Sequence, residues 1–250
     1  MSAHVRGGPA PSTTRLYLQD DHCFEAQASV VAVREDCVAF DRTCFYPGGG
    51  GQPPDQGWVK IRGGATLAIV SAHADSNDTV WHSLKTVPGD ILGLPATLLL
   101  DRPRRLALAR YHTVLHVLNT IALREYGGWI TGAQIAVDYS RIDFKVDSFS
   151  AALCTELEKK VNAVLERQSM LKSYYLAEDE FRRRDDLLRT LEAKPPVVRG
   201  QVRVVEIEGF DAQACGGTHV RSTGEVGRFS VLRTENKGKI NKRLYVRLDP

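Results

Sequence analysis

The sequence predicts an α+β protein, a small N-terminal β-barrel followed by a two-layer α/β domain built on an antiparallel sheet. Three observations predict it. The first hundred residues break into short apolar segments punctuated by Gly, Pro and Asp, the texture of a small barrel. At Asp101 the apolar spacing lengthens to that of helices. Beyond it helical stretches alternate with strand-like runs, as in an α+β layer. The expected organisation is a lead-in over 1–14, a barrel over 15–100 and the second domain over 101–250.

Met1 to Thr14 contains Gly, Pro and Ser but no apolar signal core, and is expected to be disordered. Barrel strands are expected over 15–18, 25–33, 37–40, 57–61, 66–70, 79–82 and 95–100. The longest breaker cluster spans 45–57, with Gly48, Gly49, Gly50 and Gly51 followed by Gln52. Asp101 can cap a helix, and Pro103 falls in its first turn, where a missing N–H costs little. Leu106, Ala109, Leu115, Leu118 and Leu123 carry that helix to a stop at Gly127-Gly128. A hairpin follows over 130–146. A second helix is expected over 148–168, with Leu153, Leu157, Val161 and Val164 on one face. Then come a strand over 171–177, a charged helix over 178–191, and strands over 202–207, 227–234 and 243–248. Asp211-Ala-Gln-Ala214 is read as a polar turn.

Composition bounds the function. Apolar content of 43% and charged content of 25% are those of an ordinary globular chain. The net charge of +3 is compatible with nucleic acid without demanding it. The charge is uneven: Arg228, Arg233, Lys237, Lys239, Lys242, Arg243 and Arg247 crowd the last part. Five scattered cysteines give an odd count and no disulfide framework, which points to a reducing, cytoplasmic setting. No apolar run reaches transmembrane length, so no membrane is expected, and no protein partner can be inferred.

Two pairs of metal-type side chains stand out. His112 and His116 are four residues apart, and so are Cys215 and His219, about a hundred residues downstream. Residues four apart on a helix share a face, so two imidazoles can meet one ion. Three imidazoles and a thiol suit Zn²⁺, one per chain. Four candidate ligands leave its role open, because structural sites are usually closed and catalytic ones usually keep a position free. Thr113 follows His112, so this is not the HExxH pattern and the helix supplies no carboxylate base.

Other motifs have a functional and a plain reading. Gly216 and Gly217 let a substrate approach closely, or simply form a turn beside Cys215. The backbone N–H groups of Gly48–Gly51 can meet phosphate or a nucleic-acid end; alternatively the stretch is a plain loop. It is not a Walker loop, since no Lys-Ser or Lys-Thr follows. Thr131 and Gln134 can be pocket groups on the hairpin or ordinary strand polarity. The turn over 235–243, with Lys237 and Lys239, reads as a phosphate contact or a solvated tip. Arg102, Arg104 and Arg105 crowd a helix start, where the dipole disfavours cations, and would suit a partner anion.

Taken together, these motifs resemble those of the freestanding alanyl-tRNA editing proteins, a family similar to the editing domain of alanyl-tRNA synthetase and more distantly to that of threonyl-tRNA synthetase. The resemblance covers roughly 15–248. The 45–57 cluster resembles the family's glycine-rich motif. His112-xxx-His116 and Cys215-Gly-Gly-Thr-His219 resemble its metal motifs. Ile130-Thr-Gly-Ala-Gln134, Arg141-Ile-Asp-Phe144 and Asn236-Lys-Gly-Lys239 resemble its intervening and terminal motifs. It implies an editing domain over 101–250 and hydrolysis of mischarged tRNA-Ala, chiefly carrying serine and secondarily glycine. A chain too short for a synthetase core would act in trans. It also implies His112, His116, Cys215 and His219 as zinc ligands, and Thr131 as the sensor of the serine hydroxyl; the mechanism expected from these residues has an attacking water held near Thr131 and Gln134. Gly48–Gly51, Gln52, Gln213, Lys237 and Lys239 are expected to contact substrate or tRNA. Tyr111, Ala212 and Ala214 depart from the family's usual residues, which touches fine specificity. Two rival readings are a tRNA-binding module with a structural zinc and no chemistry, and a zinc hydrolase of a small molecule. The glycine-rich loop and basic tail argue against the latter.

Overall fold

The computed structural model describes residues 10–146, 150–189, 195–238 and 240–249. They divide into one unit of Met1–Gly49 with Pro53–Arg105, and a second of Gly50–Gln52 with Leu106–Pro250.

Among the described residues, the first unit contains eight strands: β1 (Thr14–Arg15), β2 (Glu25–Val33), β3 (Cys37–Phe40), β4 (Arg42–Thr43), β5 (Gly57–Ile61), β6 (Thr66–Ala74), β7 (Val80–Leu84) and β8 (Pro95–Leu100). Six of them close an antiparallel barrel in the order β2-β3-β7-β6-β5-β8. Period-2 patterning drives the closure: β2 buries Ala26, Ala28, Val30 and Ala32 and leaves the residues between them more exposed. Val59, Ile61, Ile69, Ala96 and Leu98 share one core with Ala26, Ala28 and Val30, and Ala32 packs with Cys37, Ala39 and Trp81. Closure removes the sheet edges that would otherwise invite pairing with another chain.

Two expectations change here. Only Thr14–Arg15 pairs as a strand, parallel to β4. Leu16–Leu18 turns as a 3-10 helix, because Tyr17 is drawn into the interior, edge-on to Tyr46 at 5.4 Å between ring centroids. Of the expected lead-in, residues 10–14 are described, and Thr13 is bonded to the barrel. Thr13 donates its N–H to the Asp78 carbonyl at 3.0 Å, and its hydroxyl accepts the Val80 N–H at 2.9 Å. Residues 1–9 lie outside the described residues.

His82 lies fully inside this barrel. Its Nε2 sits 2.8 Å from the Thr43 hydroxyl and its Nδ1 3.2 Å from the Val38 carbonyl. Burial lowers its pKa to about 4 from an ordinary 6.5. At neutral pH it is uncharged folded or unfolded. As pH falls from 6.5 toward 4, only the unfolded chain takes up the proton, so stability drains away over that window. The full shift corresponds to about 3 kcal/mol. Denaturant unfolding at pH 7 and pH 4.5 is expected to show the loss, and His82→Gln to flatten it. An unchanged slope in that variant would clear His82 of the effect.

The helix α1 (Arg102–Tyr126) begins in the first unit and runs on in the second. Asp101 caps it as expected, accepting the Arg104 N–H at 3.0 Å. Arg105, expected to await an anion, is instead 1% exposed. Its guanidinium is paired with Asp55 and donates to the carbonyls of Asp21 and Cys44, each at 2.7 Å. Internal partners offset both its charge and the helix dipole.

In the second unit, β9 (Trp129–Ile135) and β10 (Ser140–Lys145) form the expected hairpin. Then come α2 (Ala151–Leu165), β11 (Leu171–Ala177), α3 (Glu178–Phe181), β12 (Val197–Val198), β13 (Gln201–Ile207), β14 (Asp211–Ala214), β15 (Arg228–Asn236) and β16 (Asn241–Asp249). One antiparallel sheet runs β15-β16-β10-β9; another has β13 between β11 on one side and β12 and β14 on the other. Residues 111–122 of α1 are buried on every side. Leu118 and Ile121 join Ile142, Phe144, Leu244 and Val246 of the first sheet, with Leu157 and Val161 of α2, in one core. The polar side of α1 meets β14.

Ser150 caps α2, accepting the Leu153 N–H at 3.2 Å; the expected start at 148 lies outside the described residues. Of the charged helix expected over 178–191, residues 190 and 191 lie outside the described residues, and the rest holds the single turn of α3 and a 3-10 turn at Asp185–Leu187. That stretch has no apolar stripe to bury. Leu187 reaches a small buried cluster with Leu176 and Val204, and Phe181 packs against it. Asp211-Ala-Gln-Ala214 is a strand rather than a turn. Its polar residues alternate inward, where α1 supplies their partners, so its composition resembles a loop.

Candidate metal centre

The turn spacing of α1 places His112 and His116 one above the other, with ring centroids 5.1 Å apart. The loop after β14 brings His219 to 4.4 Å from His112 and 4.5 Å from His116, centroid to centroid. Cys215 Sγ lies 3.4 Å from His112 Nε2 and 3.5 Å from His219 Nε2. The donor atoms of all four residues lie within 4.8 Å of one another. A tetrahedral zinc, with Zn–S about 2.3 Å and Zn–N about 2.0–2.1 Å, requires S···N separations of about 3.6 Å. The residues therefore fit a single tetrahedral ion. The three imidazoles are buried, and Cys215, half-buried as a whole residue, turns its ligating position into the same buried cluster.

Electrostatics favours the ligand form. Burial holds His116 down to about 3, with help from the Arg189 and Arg203 guanidinium charges. Burial, followed by its neighbours' charges, holds His112 and His219 well below the ordinary histidine value. Neutral imidazoles offer the lone pair that metal binding needs.

The surroundings hold these groups in place. His112 Nδ1 sits 2.7 Å from Gln52 Oε1, and His219 Nδ1 sits 3.1 Å from the Thr113 hydroxyl. Arg203, buried in β13, donates to the Gly217 carbonyl at 2.8 Å and to that of Cys215 at 3.4 Å, fixing the turn between the ligands. Gln213 donates to the His116 carbonyl at 3.1 Å, the Thr120 hydroxyl at 2.8 Å and Asp211 at 2.8 Å, and accepts from Asn119 at 3.1 Å. Asp211 also pairs with Arg124 and Arg189. Sequence reasoning did not find Arg203 or Asp211. The one signal for Arg203 was a lone arginine inside an apolar strand.

The remaining expected site residues are placed as follows. Gln213, expected to contact substrate, is 4% exposed and engaged inside the protein, so its amide braces α1 against β14. Gln52 is 2% exposed, and its amide is bonded to Thr218 as well as His112. Gly48, Gly49, Gly50 and Gly51 all have positive φ, at 89°, 129°, 56° and 84°, a run that favours glycine alone. The Gly51 carbonyl accepts the Ile135 N–H at 2.8 Å, so strand β9 runs beside the residue that touches His112. On β9, the Thr131 hydroxyl donates to Asn241 Oδ1 at 3.0 Å and Gln134 accepts from Arg141 at 2.8 Å. Gln134 thus meets the adjacent strand β10, and Thr131 reaches Asn241 at the start of β16, one strand further on. Lys237 lies 3.5 Å from Glu235. Lys239 lies outside the described residues.

No helix among the described residues is long and apolar enough to cross a membrane. Residues 202–245 match the family described as the threonyl and alanyl tRNA synthetase second additional domain. Along nearly its whole length the chain is similar to alanyl-tRNA editing protein AlaX-M of Methanosarcina acetivorans, at 36% identity over 94% of this chain and 99% of that one. It is likewise similar to AlaX-M of Saccharolobus solfataricus, at 32% over 95% and 100%. An alanine–tRNA ligase of Korarchaeum cryptofilum is 37% identical over 89% of this chain but only 25% of its own length. With identity above 30% over at least 94% of this chain and 99% of each relative, the chain belongs to the AlaX-M family of alanyl-tRNA editing proteins.

Proposed function

We propose that this protein hydrolyses the aminoacyl ester of mischarged tRNA-Ala in trans, removing serine chiefly and glycine secondarily. The observation that carries the reading is the buried four-donor cluster of His112, His116, Cys215 and His219, whose two S···N separations are close to the tetrahedral value. Zn²⁺ is the ion these ligands suit, and when bound it supplies a positive charge that orients or polarises the ester end of the substrate. An ester needs little more than positioning beyond that.

The protein's own residues do the rest. Alanine is smaller than serine, so size cannot exclude it; rejection must come from a polar group left unpaired when alanine binds. Thr131 takes that role: its proton stays donated to Asn241, and its oxygen accepts from the serine hydroxyl, an acceptor left unpaired when alanine binds; Gln134 helps hold the attacking water. Lys237 and Lys239 meet the tRNA backbone as phosphate contacts. Supporting this reading, strand β9 borders Gln52 through the Gly51–Ile135 bond.

The test is deacylation of Ser-tRNA-Ala beside Ala-tRNA-Ala and Ser-tRNA-Ser. Selective loss of serine from tRNA-Ala is expected. Thr131 is exposed, so Thr131→Val should cut the preference for serine over alanine by about tenfold, the value of one hydrogen bond. Retention of tRNA without any ester cleavage would favour a binding module with structural zinc, a reading that four protein ligands also accommodate.

A further inference from the structure

We propose that the glycine-rich loop serves the metal centre: it delivers Gln52 as a positioning residue that fixes the tautomer of His112. This rests on the metal-centre reading above and extends it to a residue that is not a ligand.

Hydrogen-bond direction settles the roles. The Thr218 backbone N–H can only donate, and it lies 3.1 Å from Gln52 Oε1. Gln52 Nε2 in turn donates to the Thr218 hydroxyl at 2.8 Å. The amide is thereby oriented with Oε1 as acceptor. His112 Nδ1, 2.7 Å from that same oxygen, must therefore carry its proton and donate. A neutral imidazole has one N–H, so Nε2 keeps its lone pair, and Nε2 is the atom that faces Cys215 Sγ at 3.4 Å. Gln52 thus presets the nitrogen that meets the ion and the plane of the ring. Partners of this kind raise ligand basicity and typically account for about 10–100-fold in metal affinity.

The loop is shaped for this task. Its four glycines all adopt left-handed φ. A β-carbon on Gly51 would lie 2.6 Å from the Ala133 carbonyl oxygen, so the chain lies flat against β9. The Gly51 carbonyl takes the Ile135 N–H, and the next residue is buried beneath His112. Four glycines carry a large ordering cost, and a residue held against a ligand justifies it better than a solvated turn. A phosphate cradle would leave the Gln52 amide free for substrate, whereas both of its ends are bonded inside the protein.

The test measures Co²⁺ and Zn²⁺ affinity by chelator competition, with the Co²⁺ absorption spectrum, on the full chain. Gln52→Ala is expected to weaken binding about 10–100-fold and alter the Co²⁺ bands. Gln52→Glu keeps an oxygen acceptor facing Nδ1–H and should restore affinity to within a few-fold, while making the melting temperature chelator-sensitive, since its buried charge needs the ion. Equal affinity in wild type and Gln52→Ala overturns the proposal, as does equal weakening by Ala and Glu in folded protein. If Gln52→Ala does not fold, two-bond ¹H–¹⁵N spectra of zinc-loaded wild type decide: a protonated Nδ1 on His112 is expected, and a protonated Nε2 overturns the proposal. A wild type that takes up no metal instead overturns the metal-centre reading itself, a failure distinct from the others.

Discussion

Replacing His116 by alanine is expected to remove bound metal and deacylation together. Structural zinc sites supply on the order of 10–16 kcal/mol of apparent binding free energy from four ligands. One ligand in four is then worth roughly 3–4 kcal/mol, or about 10²–10³-fold in affinity. The substitution spares the helix: its backbone at this position is held through the His116 carbonyl, which accepts from Gln213 and from the Thr120 hydroxyl, and neither bond uses the imidazole. Loss of metal therefore need not mean loss of fold. Zinc content after dialysis, circular dichroism and hydrolysis of Ser-tRNA-Ala in one preparation would separate the effects. A folded variant without metal that still cleaves the ester would show the ion to be dispensable for the proposed reaction.

The sequence spoke clearly where chemistry and local geometry coincide. His112 and His116 could be paired because a helix puts residues four apart on one face, and the helix itself was legible from Asp101 to Gly127. Cys215 and His219 carried the right ligand types, and the resemblance supplied the long-range link that spacing alone could not. Gly48–Gly51 announced a special backbone because four glycines are costly to order. A poly-glycine loop suggests an anion, and only tertiary structure shows that Gln52, which follows it, is turned inward onto His112. Gln213 and Asp211 were hidden for the same reason. A buried polar strand looks like a turn until its partners, Asn119, Thr120 and Arg124 on α1, are known. Arg105 failed in the opposite sense. The helix-dipole rule marked it as odd, and the answer was Asp55, fifty residues away in the sequence.

Gly217→Ala is expected to disrupt the site as severely as losing a ligand, although the residue binds nothing through a side chain. Its φ is not among the positive values, so the demand is for space rather than for left-handed backbone. An added β-carbon would lie 2.1 Å from His112 Cε1, 2.5 Å from His112 Nδ1 and 2.9 Å from Gln52 Oε1. Something must move, and each candidate is tied down. The imidazole is held by Gln52 on one nitrogen and faces Cys215 with the other. The turn is held by Arg203 on the Gly217 carbonyl, and its N–H points at Cys215 Sγ at 3.4 Å. Relief by ring rotation gives up the His112 geometry; relief by backbone shift displaces Cys215. Overpacking of this kind costs typically about 1–3 kcal/mol of stability. The metal should suffer more, with affinity down by about 10²-fold or beyond if one ligand is displaced. Gly216→Ala is the control, since its β-carbon would meet the Pro196 ring at 2.7 Å. That proline is exposed and can yield, so this variant should keep its metal. Chelator competition on the two variants checks the contrast. Equal metal affinity in Gly217→Ala and wild type would mean that the His112 ring has freedom the structure denies it.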